Sequence, residues 1–435
     1  MPCSRAYFIC ESWLPFDVPS SISHRGQTIL FRAQPKSRRK IAGVKEDRIL
    51  LCLLFSPDNI STSISEDSPD WAHIVESARR EGVSGVLYHH LRKNNLESLV
   101  PPEFMAILSH DFHVNLSRNM SIISELRKIF ATFKLAGISF IVLKGIALAE
   151  CVYSNIGMRG MGDVDLLIRK RDLFKVDRLL ATAGYRPIDS TAVKAFHNPE
   201  GYLASLEYHH DSSSPLILHI HWHPVNTSVP ATVFSERIDL DRLWKQAITV
   251  RIADIETQIF RPEHLIMYLC EHALRVGHSF NHLSLVCDIF FTIKTFESAI
   301  DWNFIYEESV HFNLSRFVYY GLSIVKHHTA LDIPDSCMDK LKPRDISTGE
   351  GFFLRLQRSD RRIRGSSYFI YLALNKGLSR KLRFITRTFF PPLPILFQRR
   401  YGNGLQSAHS YYAARIWEVF SNIANILPIG QRNVR

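Results

Sequence analysis

The sequence predicts an α+β protein in which a small core of strands and helices lies between an N-terminal and a C-terminal helical region. Before Gly137 and after Pro262, apolar residues recur at three- and four-residue steps, the period of an amphipathic helix. Between these positions lie short, β-branched apolar runs separated by glycine-rich or polar turns, as in strands. The 435 residues, 46% of them apolar, suffice for a sizeable core.

The N-terminal part divides into a leader and a helical region. Residues 1–45 are mixed in character and end near the basic run at 36–40, so we predict a poorly ordered leader. Residues 46–136 follow as the N-terminal helical region. Its clearest element is one long amphipathic helix over 107–133.

The predicted α/β core spans residues 137–260. Short apolar runs bounded by turn residues predict four strands, over residues 138–143, 163–168, 202–208 and 216–222. Helices are expected at 146–153 and 172–183, the second ending at Gly184, a common helix stop.

Residues 261–435 are the predicted C-terminal helical region, helical to about Phe389 and again over 411–426. Its basic segment, 355–400, contains twelve Lys or Arg residues and one acid, Asp360, in a chain of formal net charge +11. Such a segment faces either phosphate groups, including those of nucleic acid, or solvent alone. The sequence leaves both interpretations open.

Cysteine usage and hydropathy indicate the compartment. The seven cysteines are scattered without a CxxC pair, which argues against zinc fingers and a disulfide framework and favours a reducing cytoplasm. No run approaches the roughly 20 apolar residues of a spanning helix, and the first residues lack the unbroken apolar run of a signal peptide. We therefore expect a cytoplasmic protein without a membrane span.

The run GDVDLLI at residues 162–168 carries the clearest chemical signal. Alternation along a strand places Asp163 and Asp165 on one face. Adjacent carboxylates repel each other unless a cation lies between them, and their oxygens suit Mg²⁺ or Mn²⁺, which take further ligands from substrate phosphates. The alternative is a pair of aspartates at an ordinary strand start.

A second signal precedes these carboxylates. The first strand ends at Leu143-Lys144-Gly145, where a glycine lets the backbone approach a phosphate and a helix N-terminus attracts anions. Lys144 and Arg159 are cations placed to reach the same phosphates. Alternatively, Lys144 is a solvated strand end and Arg159 a turn residue. All these residues lie within 22 positions, which favours one common site.

The runs LKGIALA (143–149) and GDVDLLI (162–168), with Tyr153 and Arg159, resemble the bacterial uncharacterised nucleotidyltransferase family of the DNA polymerase β-like superfamily. The resemblance covers nearly everything from about residue 46 onward, with further matches at Gly184, Trp222, Pro262, His272, Leu283 and Asp288. It implies a small mixed β-sheet nucleotidyltransferase core with helices around it.

The resemblance also implies a reaction and its residues. A nucleoside monophosphate would move from an NTP to an unknown acceptor, with release of pyrophosphate. Asp163 and Asp165 would hold a pair of divalent ions, Mg²⁺ or Mn²⁺, and serve catalysis. Gly145 would shape the triphosphate loop, and Lys144 and Arg159 would help to bind the nucleotide.

One position departs from the family. A third acid is expected three residues before Trp222, and His219 stands there. A neutral imidazole can bind a metal, so His219 joins the predicted catalytic and metal residues, but it cannot act as a carboxylate base. Glu207 on the preceding strand would substitute for the acid if it faces the site. The alternative function is therefore a catalytically degenerate binding module for nucleotide, nucleic acid or a protein partner.

Alternating histidines raise a separate possibility. A strand would place His219, His221 and His223 on one face, where three imidazoles could bind Zn²⁺ or another transition metal. We favour the other interpretation, in which His221 is a packed or hydrogen-bonded structural histidine and His223 lies at an exposed strand end.

Overall fold

The structure is a computed structural model. It describes residues 23–24, 27–28, 39–56, 69–188, 204–211, 216–225, 238–274, 282–345, 351, 372, 377–391, 393, 396 and 407–424. The strands are β1 (Ser23–His24), β2 (Gln27–Thr28), β3 (Phe140–Val142), β4 (Val164–Ile168), β5 (Tyr185–Pro187), β6 (Ser205–His210), β7 (Ile217–His221), β8 (Ile248–Ile252) and β9 (Ile255–Ile259).

Among the described elements, four α-helices precede β3, three lie between β3 and β8, and all those after β9 are helices. The helices are α1 (Arg39–Phe55), α2 (Trp71–Arg80), α3 (Ser84–Lys93), α4 (Pro102–Leu135), α5 (Ile146–Cys151), α6 (Leu173–Thr182), α7 (Leu240–Lys245), α8 (Pro262–Leu274), α9 (Leu283–Phe296), α10 (Trp302–His311), α11 (Ser315–His328), α12 (Asp335–Leu341), α13 (Leu378–Phe389) and α14 (Ala408–Ala424). Short 3₁₀ turns lie at Glu97–Leu99, Ile156–Met158 and Lys170–Asp172.

Helices α1 to α4 build the N-terminal region. The long helix predicted over 107–133 is confirmed as α4, which begins with Pro102 in its first turn, where a missing backbone N–H costs nothing. Helix α1 begins at Arg39, inside the predicted leader, and β1 and β2 lie in that leader too. The remaining leader residues before Arg39 lie outside the described residues.

A seven-stranded sheet forms the core, in the order β5-β6-β7-β4-β3-β9-β8. The pairs β4–β7 and β3–β9 are parallel, and the other pairs are antiparallel. The sheet is therefore mixed, and the predicted α+β class is confirmed. The four predicted strands are present as β3, β4, β6 and β7, although β6 runs from Ser205 to His210.

Three strands of this sheet were not predicted. Strand β5 is three residues long, too short for a periodic signal. Strands β8 and β9 form a hairpin through Ala253 and Asp254, whose φ angles are 51° and 61°. Such turns usually carry Asn-Gly or Asp-Gly because glycine adopts positive φ without strain. Ala-Asp lacks that glycine, so the usual sequence signal for a hairpin is missing.

The two faces of the sheet have different partners. On one face, Val164, Leu166 and Leu218 pack with Phe130 of α4 and Leu180 of α6 in a buried apolar cluster. On the other face, residues such as Ile141 and Leu167 join the larger apolar core of the helical regions. Because strand residues alternate, the odd-numbered residues of β4 and β7 lie on the same face of the sheet as Leu167.

Helices α9, α10 and α11 pack against α8. Every residue of α8 after Pro262 is buried, which explains a helix that is apolar over most of its surface. Residues 346–350 and most of 352–376 lie outside the described residues, so the basic segment is described mainly by α13. None of the described helices combines the length and apolar character needed to cross a bilayer.

Candidate metal and nucleotide site

The two aspartates of the DVD run lie together at the start of β4. Asp165 is the second residue of the strand and is 2% exposed, whereas Asp163 precedes the strand with a side chain that is 26% exposed. Both carboxylates contact the same two cationic side chains, Lys144 and His219. The prediction that the carboxylates share one face is therefore confirmed by their shared neighbours.

Strand order extends this pair into a row across the sheet. Asp165 is in register with His219 on the parallel strand β7, and His219 is in register with Glu207 on the antiparallel strand β6. Nδ1 of His219 lies 3.3 Å from Asp163 Oδ2 and 3.5 Å from Asp165 Oδ1, and its Nε2 lies 3.3 Å from Glu207 Oε2. Glu207 therefore faces the site, but it reaches the aspartates through His219.

The loop after β3 places a cation on the carboxylates. Lys144 Nζ lies 2.7 Å from Asp165 Oδ2 and 3.8 Å from Asp163 Oδ2, with its side chain 13% exposed. Gly145 follows with φ 58° and ψ −111°, and a Cβ there would meet the carbonyl oxygen of Asp163 at 3.3 Å. Glycine is therefore required at this turn, both for its backbone conformation and for the close approach of β4.

His221 is a further member of the site. It is 5% exposed, and its Nε2 lies 2.8 Å from Asp165 Oδ1. One ligand atom each from Asp165, His219 and His221 lie within 4.8 Å of one another. His223 lies beyond the end of β7, and its Nδ1 contacts the backbone of Val225 instead. The expectation that His221 is buried and hydrogen-bonded is confirmed. The strand histidines therefore contribute two imidazoles to the cluster, not three.

Neighbouring cations and hydrogen bonds explain why a buried carboxylate stays ionised. Burial opposes ionisation of Asp165, but Lys144 and the two histidines outweigh it and hold the pKa of Asp165 well below its usual value. Burial likewise opposes the charged form of Lys144, whose pKa is nevertheless raised by Asp163 and Asp165. The same balance, with burial exceeded by contacts with Asp165 and Glu207, raises the pKa of His219 to about 10.

Burial decides the pKa of His221 but not that of Glu207. Burial, with smaller contributions from neighbouring cations, lowers the pKa of His221, so this imidazole is neutral near pH 7. Burial also works against ionised Glu207, but His209 and His219 prevail and lower its pKa to about 2. Asp163 and Asp165 therefore face Lys144 and His219, Glu207 contacts the other side of His219, and the neutral imidazole of His221 lies beside Asp165.

Arg159 is held by a partner far away in the sequence. Its Nε and Nη2 donate to Asp288 Oδ1 and Oδ2 of α9, at 2.9 and 2.8 Å. The hydroxyl of Tyr153 donates to the same Oδ1 at 2.8 Å. Arg159 still lies close enough to Asp163 for their charges to interact. The structure thus joins Lys144, Asp163, Asp165 and His219 directly, while Arg159 is bonded to Asp288.

The glycine-rich turn before Asp163 is held from the other side by α4. Nδ2 of Asn119 donates to the carbonyl oxygens of Ile156 and Arg159, at 2.6 and 2.8 Å, and the Asn119 residue is fully buried. Sequence reasoning missed Asn119. A polar residue on the apolar side of the α4 pattern was the available signal, because a buried amide needs hydrogen-bond partners.

These residues fit a divalent cation. Two carboxylates are the oxygen ligands that Mg²⁺ and Mn²⁺ accept, and His219 offers a nitrogen in the position of the expected third acid once the ion displaces its proton. The buried Nδ1 of His221 has no hydrogen-bond partner among the described residues, so only one nitrogen of this imidazole is hydrogen-bonded there. Asp163, Asp165, His219 and His221, named here the carboxylate–histidine cluster, are the residues that could hold the ion.

Comparison with known proteins gives a family match over this part of the chain. A family model described as an uncharacterised nucleotidyltransferase matches residues 67–330. This part of the chain runs from α2 to α11 and includes the seven-stranded sheet. The carboxylate–histidine cluster and its supporting residues all lie within the matched part. A search of curated proteins finds no match to the chain.

Proposed function

Because the chain belongs to the uncharacterised nucleotidyltransferase family, we propose that it transfers a nucleoside monophosphate from an NTP to an acceptor, using Mg²⁺ or Mn²⁺. The observation that carries the proposal is the contact of Lys144 with both Asp163 and Asp165 directly before the Gly145 turn. Carboxylates for a cation and a lysine for phosphate thus occupy one place.

The proposed reaction is a displacement at the α-phosphorus of the NTP. A hydroxyl oxygen of the acceptor forms a bond to this phosphorus as the bond to the bridging oxygen of pyrophosphate breaks. Pyrophosphate leaves with that bonding pair, and the hydroxyl proton passes to water. A divalent cation, when bound, neutralises phosphate charge and aligns the attacking oxygen.

The residues of the chain have separate proposed roles. Asp163, Asp165 and His219 hold the cation, and Lys144 binds the phosphates that approach the Gly145 turn. Arg159 keeps its predicted nucleotide-binding role through Nη1, which makes a long contact of 3.5 Å with the Gly160 carbonyl while the other two nitrogens bind Asp288. Asp288 then orients Arg159 without touching the nucleotide.

Binding and transfer can be measured separately. Titration calorimetry with each NTP, with and without Mn²⁺ or Mg²⁺, should give metal-dependent binding to the wild-type chain. The double variant Asp163→Asn, Asp165→Asn should lose it, whereas Asp241→Asn, an exposed aspartate paired with Arg169, should not. Metal-dependent binding that survives in the double variant would place the nucleotide elsewhere, and no NTP binding with either ion would contradict the proposal.

Labelled NTPs then address transfer. AMP, GMP, CMP and UMP transfer should be assayed from α-labelled NTPs, with modification of the protein itself scored alongside candidate acceptors. Label on an acceptor, together with released pyrophosphate, is the expected result.

A degenerate binding module is the second candidate function. It is favoured by His219 in the place of an acid and by the two cations already paired with the carboxylates. His219→Asp distinguishes the two candidates. A gain of transfer in this variant would mark the natural chain as degenerate, whereas a loss would mark His219 as a working ligand.

The remaining partner and location proposals have their own observations. The basic segment is proposed to bind nucleic acid, in which case binding weakens steeply as salt rises because phosphate contacts release counterions. The described cysteines are free thiols, as in proteins of a reducing cytoplasm, where NTP is also available. A cytoplasmic location is therefore proposed.

A further inference from the structure

We infer that the carboxylate–histidine cluster selects a first-row transition-metal ion over Mg²⁺, and that His221 is a ligand beside His219. This rests on the proposed function for the presence of a cation site. It goes further by naming the class of ion and an additional ligand, and it can be measured without any nucleotide.

The donor atoms are near one another before any ion is considered. Asp165, His219 and His221 each supply one ligand atom, and these atoms lie within 4.8 Å of one another. Asp163 adds a carboxylate oxygen 3.3 Å from Nδ1 of His219. The set therefore combines two carboxylates with two imidazoles, whereas the DVD run alone would supply oxygen ligands.

Glu207 prepares His219 for this role. Nε2 of His219 lies 3.3 Å from Glu207, so its Nδ1 faces the two aspartates. Histidines that bind metals usually direct their second ring nitrogen to a carboxylate, which orients the ring and strengthens the ligand nitrogen. Glu207 is itself held by His209 at 2.8 Å. Glu207 is therefore a positioning residue that acts through His219.

His221 has a hydrogen-bond partner for only one of its two ring nitrogens among the described residues. It is more than nine-tenths buried, its Nε2 lies beside Asp165, and its Nδ1 has no hydrogen-bond partner among the described residues. A histidine with a purely structural role would normally have both nitrogens satisfied in a buried place. An ion bound between Nε2 and Asp165 would replace the ring proton there, and Nδ1, which has no partner among the described residues, can carry that proton instead.

The donor set decides between the ions. Mg²⁺ requires octahedral oxygen ligands and gives up water reluctantly. Imidazole nitrogen suits transition-metal ions, with affinity rising from Mn²⁺ through Fe²⁺ to Co²⁺. The cluster has nitrogen where an acid is expected, so it lacks one charge and one oxygen that would favour Mg²⁺. Transition-metal ions gain from the same replacement.

Paramagnetic resonance tests the inference directly. The full chain is freed of metal with a chelator and titrated with Mn²⁺, with Mg²⁺ as competitor. We expect one Mn²⁺ per chain that a roughly hundredfold excess of Mg²⁺ does not displace, and Co²⁺ bound more tightly still. Electron spin-echo spectra of bound Mn²⁺ should contain ¹⁴N modulation from two imidazoles.

A matched pair of variants assigns the nitrogens. His221→Gln should remove one nitrogen from the spectrum and weaken Mn²⁺ binding about tenfold or more. His223→Gln, past the end of β7, should leave both unchanged. The wild-type spectrum counts the nitrogens by itself, so the test also holds if His221→Gln fails to fold.

Several results would overturn the inference. Displacement of Mn²⁺ by an equal concentration of Mg²⁺ would do so, as would a spectrum with one nitrogen or none. NTP binding with a Mg²⁺-preferring, nitrogen-free site would overturn this inference while the proposed function stood. Two coordinated nitrogens without any NTP binding would support this inference while contradicting the proposed function. No metal bound to the nucleotide-free chain would overturn this inference alone, because an ion could still enter the site together with the phosphates of an NTP.

Discussion

The guanidinium of Arg159 and the carboxylate of Asp288 form a two-point ion pair across 129 residues of sequence, with hydrogen bonds of 2.9 and 2.8 Å. Arg159 lies in the glycine-rich turn that leads into Asp163, and Asp288 lies on α9, a helix of the C-terminal helical region. The pair therefore ties the segment before the metal-binding strand to a helix of another region. Its side chains are 16% and 3% exposed, so water replaces little of the interaction if it is broken.

Loss of this pair should be costly. In Asp288→Asn the charge of Arg159 becomes uncompensated in a buried place, and breaking a buried pair in this way costs about 3–5 kcal/mol of unfolding free energy. Tyr153→Phe, which removes one hydrogen bond to the same carboxylate, should cost about 1 kcal/mol. Urea denaturation measures both. Asp241→Asn, which removes an exposed ion pair, is the control without measurable change, and equal stability of Asp288→Asn and the control would contradict the prediction.

Lys144→Met should make stability depend on added metal. Without Lys144, Asp163 and Asp165 lose a cation at 3.8 and 2.7 Å, and we expect the metal-free chain to lose about 3 kcal/mol. Mn²⁺ should then raise the melting temperature of the variant more than that of the wild type, because binding to the folded state alone stabilises it. The same substitution at Lys326, in an exposed pair with Asp335, is the control. A variant that melts like wild type without metal would refute the expectation.

Gly145→Ala tests the turn before α5. The backbone there has φ 58° and ψ −111°, and the new Cβ would lie 3.3 Å from the Asp163 carbonyl oxygen, so we expect a loss of about 3 kcal/mol. Gly137→Ala is a matched control with φ 67° and no heavy atom within 4 Å of the added Cβ, for which about 1 kcal/mol is expected. Similar losses in the two variants would show that the contact with Asp163 does not matter.

Acid should destabilise the chain partly through Glu308 of α10. Arg242 of α7 and His264 of α8 contact this buried carboxylate at 2.7 and 3.0 Å. Burial opposes ionisation of Glu308, but these two partners outweigh it and lower its pKa, while burial lowers the pKa of His264. Both shifts mean that the unfolded chain binds more protons, so stability decreases as the pH is lowered. The decline from His264 begins below about pH 6.5 and that from Glu308 below about pH 4.3.

Glu308→Gln isolates the carboxylate contribution. The variant should be less stable than wild type at pH 7, and its stability should fall less steeply below about pH 4.3. Denaturation at a series of pH values from neutral to acid measures the two slopes. Glu256→Gln, at a largely exposed glutamate near Lys134, should follow the wild-type profile. Parallel wild-type and Glu308→Gln profiles through the acid range would contradict the assignment.

The part of the site that is formed by residues close together in the sequence was predicted from the sequence. Alternation along a strand placed Asp163 and Asp165 on one face, and the Lys144-Gly145 pair marked the turn after β3. The long helix α4 was equally clear, because its apolar period continues over many turns. The binding and catalytic roles of all the predicted site residues stay predictions.

The supporting elements were harder to predict, because their signals are weak or distant. The β8–β9 hairpin turns through Ala253 and Asp254, which carry no glycine signal. Asn119 contacts the glycine-rich turn from 37 residues away, and no local pattern links them. Even Glu207, which was considered for the site, could not be placed without knowing which strand lies beside β7.

The sequence by itself determined the two carboxylates and the lysine, because backbone geometry over a few residues decides which side chains share a face or a turn. The family resemblance added His219. Tertiary structure alone decided that His221 joins them and that Glu207 contacts His219, since strand order sets which side chains become neighbours across a sheet. Strand order in turn depends on how apolar faces distant in the sequence are buried together. Short stretches of sequence do not encode that choice.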